Sequence, residues 1–414
     1  MKRRTFLSLL AGLAATACAP APQITPTADS RARSAAPTAT PVAAAADVKY
    51  GDWFKLKGEA ARSWAVVPTP GDPNQLELRL REPRDAASTP RRVLVLYTRA
   101  SSAYDTAINR VLAVLLEKRI PAEITVKNIT RDPAVGKQGI AFARAGRFDL
   151  ILTMGSDTTD FLVKSFPDSP IPVVTICSKD PVLLGYVKDY ESGSQTNYAY
   201  TSLDTPIDVQ LSYLLQVVPG LKNIAVLYSD SNASAKETQV KPLKASVQGR
   251  AIDVLDVVVQ DDKKAREELA VKVAAAAADM RRRDPSGKNS IFWITGSTPL
   301  FGEIETINAA AGGLPVLSVV PDVVQEGRNS AVLSIGVNFD SNAYVAAIYA
   351  ADILTGKAKP GQLKVGVVSP PDISINFART REVGLKIPFG LFESASYVYD
   401  YDGKLVRADG RAVR

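Results

Sequence analysis

Not one of the 414 residues is a histidine, which removes the commonest general base and metal ligand near neutral pH. Ser-His-Asp and Cys-His catalytic arrangements and His-ligated zinc are therefore out of reach. Cysteine is nearly as scarce, with Cys18 and Cys177 alone, so neither a disulfide framework nor a Cys-rich metal cluster can be built. Cys177 ends the apolar run Val173-Val174-Thr175-Ile176 and is expected to be a buried, unreactive thiol. A Gly-x-Ser-x-Gly elbow, a glycine-rich phosphate loop and spaced metal ligands are missing too. Gly155-Ser156-Asp157 lacks the flanking glycine of such an elbow. No basic tract interleaved with aromatics speaks for nucleic acid. Part of the +7 formal charge sits in Lys2, Arg3 and Arg4, in a segment expected to be removed. With 46% hydrophobic and 22% charged residues the remainder has the composition of a globular body, and its length suggests about two to three folding units.

What is present begins with an export signal. Met1-Lys2-Arg3-Arg4 is basic, Phe6 to Ala17 is apolar, and Cys18 follows Ala15-Thr16-Ala17, the order of a signal peptide over residues 1–17. The apolar stretch falls short of the roughly 20 residues that span a bilayer. A small-small-Cys ending resembles the bacterial lipobox, with Ala15 in place of the usual leucine, and implies that Cys18 is acylated. Arg3-Arg4-Thr5-Phe6-Leu7 resembles the twin-arginine export motif. Residues 18–47, rich in Ala, Pro and Thr, have little to bury and are expected to be a disordered tether.

Residues 48–90 read as a small appendage, with Trp53–Leu56 and Leu76–Leu80 flanking the turn-rich Pro68–Asn74 in a hairpin-like pattern. From Val93 onward, apolar runs alternate with segments of helical period. Strands are predicted at Val93–Tyr97, Ala122–Val126, Leu150–Met154 and Pro172–Cys177, with helices between them. A second series from Pro206 predicts strands at Ile224–Tyr228, Ile252–Val259 and Ile291–Thr295, a helix from Ala235 and another over Lys264–Arg283. Ala331–Val337, a helix over Asn342–Thr355 and a strand over Lys364–Val368 return to complete both arrays. Such alternation specifies parallel sheets covered on both faces. The expected fold is α/β, with two doubly wound Rossmann-like lobes joined by several crossings. Lobe one takes 91–204 and about 336–362, lobe two takes 205–335 and about 363–401, and 402–414 form a C-terminal tail.

Several pieces carry a family resemblance over about residues 91–401: Leu150-Ile151-Leu152-Thr153-Met154-Gly155-Ser156; Ile171-Pro172-Val173-Val174 with Asp180-Pro181; Val218-Pro219-Gly220-Leu221-Lys222-Asn223 leading into Ile224–Tyr228; and Ile375-Asn376-Phe377-Ala378-Arg379-Thr380 before Gly384–Pro388. Together they resemble the bacterial substrate-binding proteins of ABC transporters that group with tryptophan-type uptake systems. That resemblance implies a type I periplasmic-binding fold, no catalysis, a small ligand and permease partners. The chain departs from the family where ligands are expected. Ser101-Ser102 replaces a His-Pro pair, Gly296-Ser297 replaces an acidic residue with an amide, and Gly336-Val337-Asn338 replaces a Gly-x-Asp. An amino acid's ammonium group needs a carboxylate, so these changes weigh against an amino-acid ligand.

In open parallel sheets ligands bind beyond the carboxyl ends of the strands. Those ends carry Ser101, Ser102 and Tyr104; Ser156, Asp157 and Thr158; Ser178, Lys179 and Asp180; Ser231 and Asn232; Thr295 and Ser297; and Asp322. Any one of these serines, threonines or aspartates is ordinarily a helix N-cap, and Asp180-Pro181 is an ordinary turn. The set is informative because both lobes contribute alike. Asp157, Asp180, Asp230 and Lys179 could also form an acid and base pair, but without a nucleophile or cofactor motif an enzyme is not expected. The expected protein is an exported, lipid-anchored, monomeric receptor for a small polar molecule, serving an ABC permease or, as an alternative, a membrane signalling partner. It has no cofactor, no metal and no nucleic-acid partner.

Overall fold

The computed structural model describes residues 47–82 and 89–413. The signal segment, Cys18 and the tether up to residue 46 lie outside the described residues. No described helix is long and apolar enough to cross a membrane.

Lobe one grows from strand Arg91–Tyr97, whose Val93 to Tyr97 are all buried. A run that is apolar on both faces suits only the middle of a covered parallel sheet. Ala122–Asn128 and Leu150–Met154 flank it in parallel, Val93 standing beside Ile124 on one side and Leu150 on the other. Val173–Ile176 and the short Tyr198–Ala199 complete that side. On the other edge the hairpin Trp64–Thr69 and Asp72–Leu80 joins antiparallel, with Leu76 beside Val126. The expected appendage is thus partly a sheet extension. Alternate Leu76 and Leu78 turn into the core while Glu77 and Arg79 face out, the period of a strand with one solvated face.

The ribbon Val48–Tyr50 and Phe54–Leu56 docks on helix Ser102–Glu117. Lys55 N–H donates to Asp105 Oδ1 (3.1 Å) and Lys57 N–H to Asn109 Oδ1 (2.9 Å). Trp53 meets Tyr97 edge-on at 5.8 Å between centroids, and Tyr97 meets Tyr104 likewise at 5.6 Å. Loss of hydration at this junction pushes the Asp105 carboxyl up to about 6.

Lobe two orders its strands Asp253–Val259, Asn223–Ser229, Ser290–Ile294, Val316–Ser318, Leu333–Gly336, Asp372–Asn376 and Tyr397–Tyr399. The pairings are parallel except between Leu333–Gly336 and Asp372–Asn376. Within residues 402–414, expected as a tail, the described 402–413 instead extend the sheet through Leu405–Ala408 and Arg411–Ala412. The reason is the open edge of Tyr397–Tyr399, whose unpaired backbone groups are satisfied by the returning chain.

Helix Phe339–Leu354 packs on helix Ser102–Glu117 and strand Val173–Ile176 of lobe one, and the Arg110 guanidinium pairs with Asp340 there. The strand expected over Lys364–Val368 does not form. Gly366 makes a lone bridge to Thr201, and Pro370 and Pro371, which follow, have no N–H to continue a ladder. The chain therefore passes between the sheets three times, near 201–206, 336–339 and 367–371. Asn342 ties two of these passages to lobe one, accepting from Cys177 N–H (2.8 Å) and donating to Ser202 O (3.0 Å).

The helix predicted from Ala235 is interrupted. A helical turn Ala233–Ala235 runs into a π turn, Lys236–Val240, before α-helix resumes at Lys241–Ser246. Pro242 has no N–H for the carbonyl four residues back, and Lys241 N–H reaches Lys236 O instead. One extra residue is thereby held in the turn, and it is what brings Gln239 inward.

Candidate ligand cleft between the lobes

The loops after the parallel strands converge on one narrow cleft, whose non-protein space, open solvent included, is about 430 Å³. Lobe one contributes Arg99, Ala103, Tyr104, Ser156, Asp157, Cys177 and Lys179; lobe two contributes Asn232, Ser234, Gly296, Thr298 and Phe301; Leu203 and Phe339 come from the passages between them.

Lys179 is 4% exposed. Its ammonium lies 3.5 Å from Asp204 Oδ1, and Asp204 also accepts from Gln239 Nε2 (2.6 Å) and Asp180 N–H (3.0 Å). Gln239 Oε1 in turn accepts from Gly296 N–H (2.8 Å), so one network joins lobe one, a passage and lobe two. A Cβ on residue 296 would fall 1.9 Å from Lys179 Nζ. The ammonium thus occupies the space that a side chain there would need.

Tyr104 is buried and lies directly over Gly155, whose φ of +84° and ψ of 167° few residues but glycine adopt. Gly155 N-caps helix Ser156–Ser165 without a side-chain cap bond, and the first two residues of that helix line the cleft. Ser156 Oγ accepts from Lys179 N–H (3.0 Å). Asp157 is engaged by Arg131, whose Nε and Nη2 reach Oδ2 at 3.0 and 2.8 Å. Arg99 Nη2 crosses to Thr298 Oγ1 at 3.4 Å, while its Nε is buried without a partner among the described residues. Asn232 donates to Gly296 O and Ser297 Oγ, both at 3.2 Å. The Cys177 thiol is buried, and that burial pushes its pKa far up.

Of the residues proposed from sequence, Tyr104, Ser156, Asp157, Lys179 and Asn232 line this cavity. The others are directed elsewhere. Thr158 Oγ donates to Met154 O, and Thr295 Oγ to Leu227 O. Ser297 is a buried hub accepting from Asn232 and, at 3.4 Å, from Ser229 N–H. Ser178 is buried and accepts through its carbonyl from Leu203 N–H. Asp180 caps its own loop, accepting from Val182 N–H, Leu183 N–H and the Tyr190 hydroxyl. Ser231 donates to Asp262 at the margin (2.8 Å), Ser102 is exposed, and the buried Ser101 hydroxyl has no partner among the described residues. Asp322 accepts from Phe339 N–H (3.2 Å) behind the cavity wall. Although its side chain reaches solvent, loss of hydration in its crevice pushes its carboxyl up to about 6, with Asp372 and Asp340 adding to the effect. Arg99, Asp204, Gln239, Phe301 and Phe339 were not among the expected residues. Arg99 alone carried a usable signal, two residues after the end of a predicted strand. Among the described residues no group of acidic or cysteine side chains is placed to hold a metal ion.

Residues 117–398 match the model of the ABC transporter substrate binding protein family. The chain belongs to this family. The fold is that of known two-lobed relatives. A conserved domain protein from Vibrio cholerae shares 22% identity at a TM-score of 0.60, covering 75% of this chain and all of its own. An ABC domain from Streptococcus pneumoniae in complex with L-Trp shares 19% at 0.59, covering 74% and 100%. A ligand-free, open substrate-binding protein with adhesive properties from Clostridium difficile shares 19% at 0.55, covering 74% and 98%. No curated protein matches the chain in sequence. As an ABC substrate-binding protein it is a receptor of the extracytoplasmic side and not an enzyme.

Proposed function

We propose that this substrate-binding protein captures a small polar molecule between its lobes and hands it to an ABC-type permease, working as a monomer held to the membrane by an acylated Cys18. The observation that carries the reading is the shared cleft. Strand-end side chains of both lobes face one cavity, and Arg99 and Lys179 reach across it to Thr298 and to the Asp204–Gln239 network. A ligand bridging those groups favours the closed state, because a solute shifts the lobes only as far as it binds one arrangement better than the other.

Thermal-shift screening of metabolite classes, followed by X-ray scattering with and without a hit, tests the capture step. Stabilisation that grows with the logarithm of ligand excess, together with compaction, is expected. If no solute stabilises the chain, capture is wrong. For the anchor, intact-mass measurement of membrane-extracted protein should show residues 1–17 missing and a diacylglycerol adduct on Cys18. Protein found full-length and free in the medium would refute it.

A further inference from the structure

We infer that the cleft is built for a small monocarboxylate with an apolar body and no ammonium group. The inference rests on the solute-capture reading and names the class of solute.

The charges facing the cavity decide the sign. Asp157 is held by Arg131 through two guanidinium nitrogens. Both oxygens of Asp204 are taken, one by Gln239 and Lys179, the other by Asp180 N–H. Among the described residues only Asp157 Oδ1 is left without a partner to receive an ammonium, since Asp157 Oδ2 and both Asp204 oxygens are engaged, and a buried cation without a close carboxylate is costly. The donors show the opposite balance. Arg99 keeps a buried Nε with no partner among the described residues; its guanidinium reaches Thr298 only at 3.4 Å, meets the Tyr104 hydroxyl and has Asp157 and Asp262 as its nearest negative charges. Lys179 has three N–H groups and a single carboxylate neighbour, at 3.5 Å. The helix that begins at Ser156 opens on the same cavity with no side-chain cap, and Asp157, shared with Arg131, is the one acidic side chain in its first turn. Two cations and a helix N-terminus around engaged carboxylates ask for one negative group from the ligand.

The nearby negative charges of Asp157 and Asp204 disfavour a second one. One stretch of the wall is apolar, Ala103, Leu203, Phe301 and Phe339, the two phenylalanine rings 6.2 Å apart between centroids, beside the polar Asn232, Ser234 and Thr298. An inorganic oxyanion would leave that wall wet. A sugar would leave the Arg99 charge unanswered. A carboxylate carrying an aliphatic or aromatic body satisfies both.

Calorimetric titration of the full chain with matched series tests this. One series is 4-methylpentanoate, its amide, L-leucine and 3-methylbutylamine; the other is 3-phenylpropanoate, its amide, L-phenylalanine and 2-phenylethylamine, with other carboxylates, amino acids and sugars screened by thermal shift. The acids are expected to bind at least about tenfold more tightly than their partners, the usual scale of one charge-assisted hydrogen bond. Arg99→Gln should weaken acid binding by about ten- to a hundredfold and leave the amide unchanged. Arg99→Lys should recover part of the loss, and ligand-free melting curves identify any variant that fails to fold. Tighter binding of an amino acid or amine than of the acid overturns the inference. So does binding confined to sugars or amino acids, though solute capture then stands. If no class binds, both readings fall.

Discussion

Lys179→Ala is expected to lower folding stability by about 3 kcal/mol, toward the low end of the range for breaking a buried ion pair. The substitution removes the one cation paired with Asp204 among the described residues, and the Asp204 side chain is 3% exposed. Asp204 keeps its bonds from Gln239 and Asp180 N–H, which is why the loss stays at the low end. The vacated space over Gly296 adds a cavity penalty. Urea unfolding at neutral pH measures the loss. Lys179→Met combined with Asp204→Leu should recover only part of it, since the apolar pair removes the uncompensated charge but leaves Gln239 Nε2 and the Asp180 N–H without their acceptor. A single alanine variant within about 1 kcal/mol of the parent would show that the ion pair contributes little.

Gly155→Ala is expected to cost about 3 kcal/mol or more, from two separable sources. A φ of +84° with a ψ of 167° lies in territory nearly exclusive to glycine, worth about 1–3 kcal/mol for any other residue. The new Cβ would also fall 1.9 Å from Tyr104 Oη and 2.6 Å from Cζ. The tyrosine is buried edge-on against Tyr97, so it cannot step aside freely, and overpacking of this kind costs about 1–3 kcal/mol. A double variant with Tyr104→Ala removes the overlap and leaves the dihedral strain, so the coupling between the two substitutions reads out their shares. Stability within about 0.5 kcal/mol of the parent for Gly155→Ala alone would rule out both sources.

The central strands were legible because a parallel strand covered on both faces is apolar almost throughout, as Val93 to Tyr97 is and as Leu150 to Met154 is apart from the buried Thr153. Edge strands announce themselves less. Leu76 and Leu78 gave a strand pattern, but nothing local told that it would pair with Ala122–Asn128, and Leu405–Ala408 looked like tail because its partner edge is formed elsewhere. In the cleft, Tyr104, Ser156, Asp157, Lys179 and Asn232 could be named since strand ends are fixed by the sheet. Asp204 could not, because it lies in a passage between lobes, where position depends on how both sheets sit. Gln239 was hidden for another reason: helical spacing continued through it, and only the π turn ahead of Pro242 brings its amide to Asp204 and Gly296. Asp180, a plausible binding carboxylate by pattern, is consumed by the loop it caps.

The three chain passages between the sheets have a mechanical consequence. Two bodies joined by one flexible segment form a ball joint, free to bend, sway and twist, and each of those freedoms must be surrendered when a solute is enclosed. Adjacent passages, two of them fastened by Asn342 to the loop at Cys177, suppress sway and twist and leave bending as the soft degree of freedom. Closure then resembles a door swinging on its frame, with the jaws meeting in one alignment, so that little orientational entropy remains to be lost when the solute arrives.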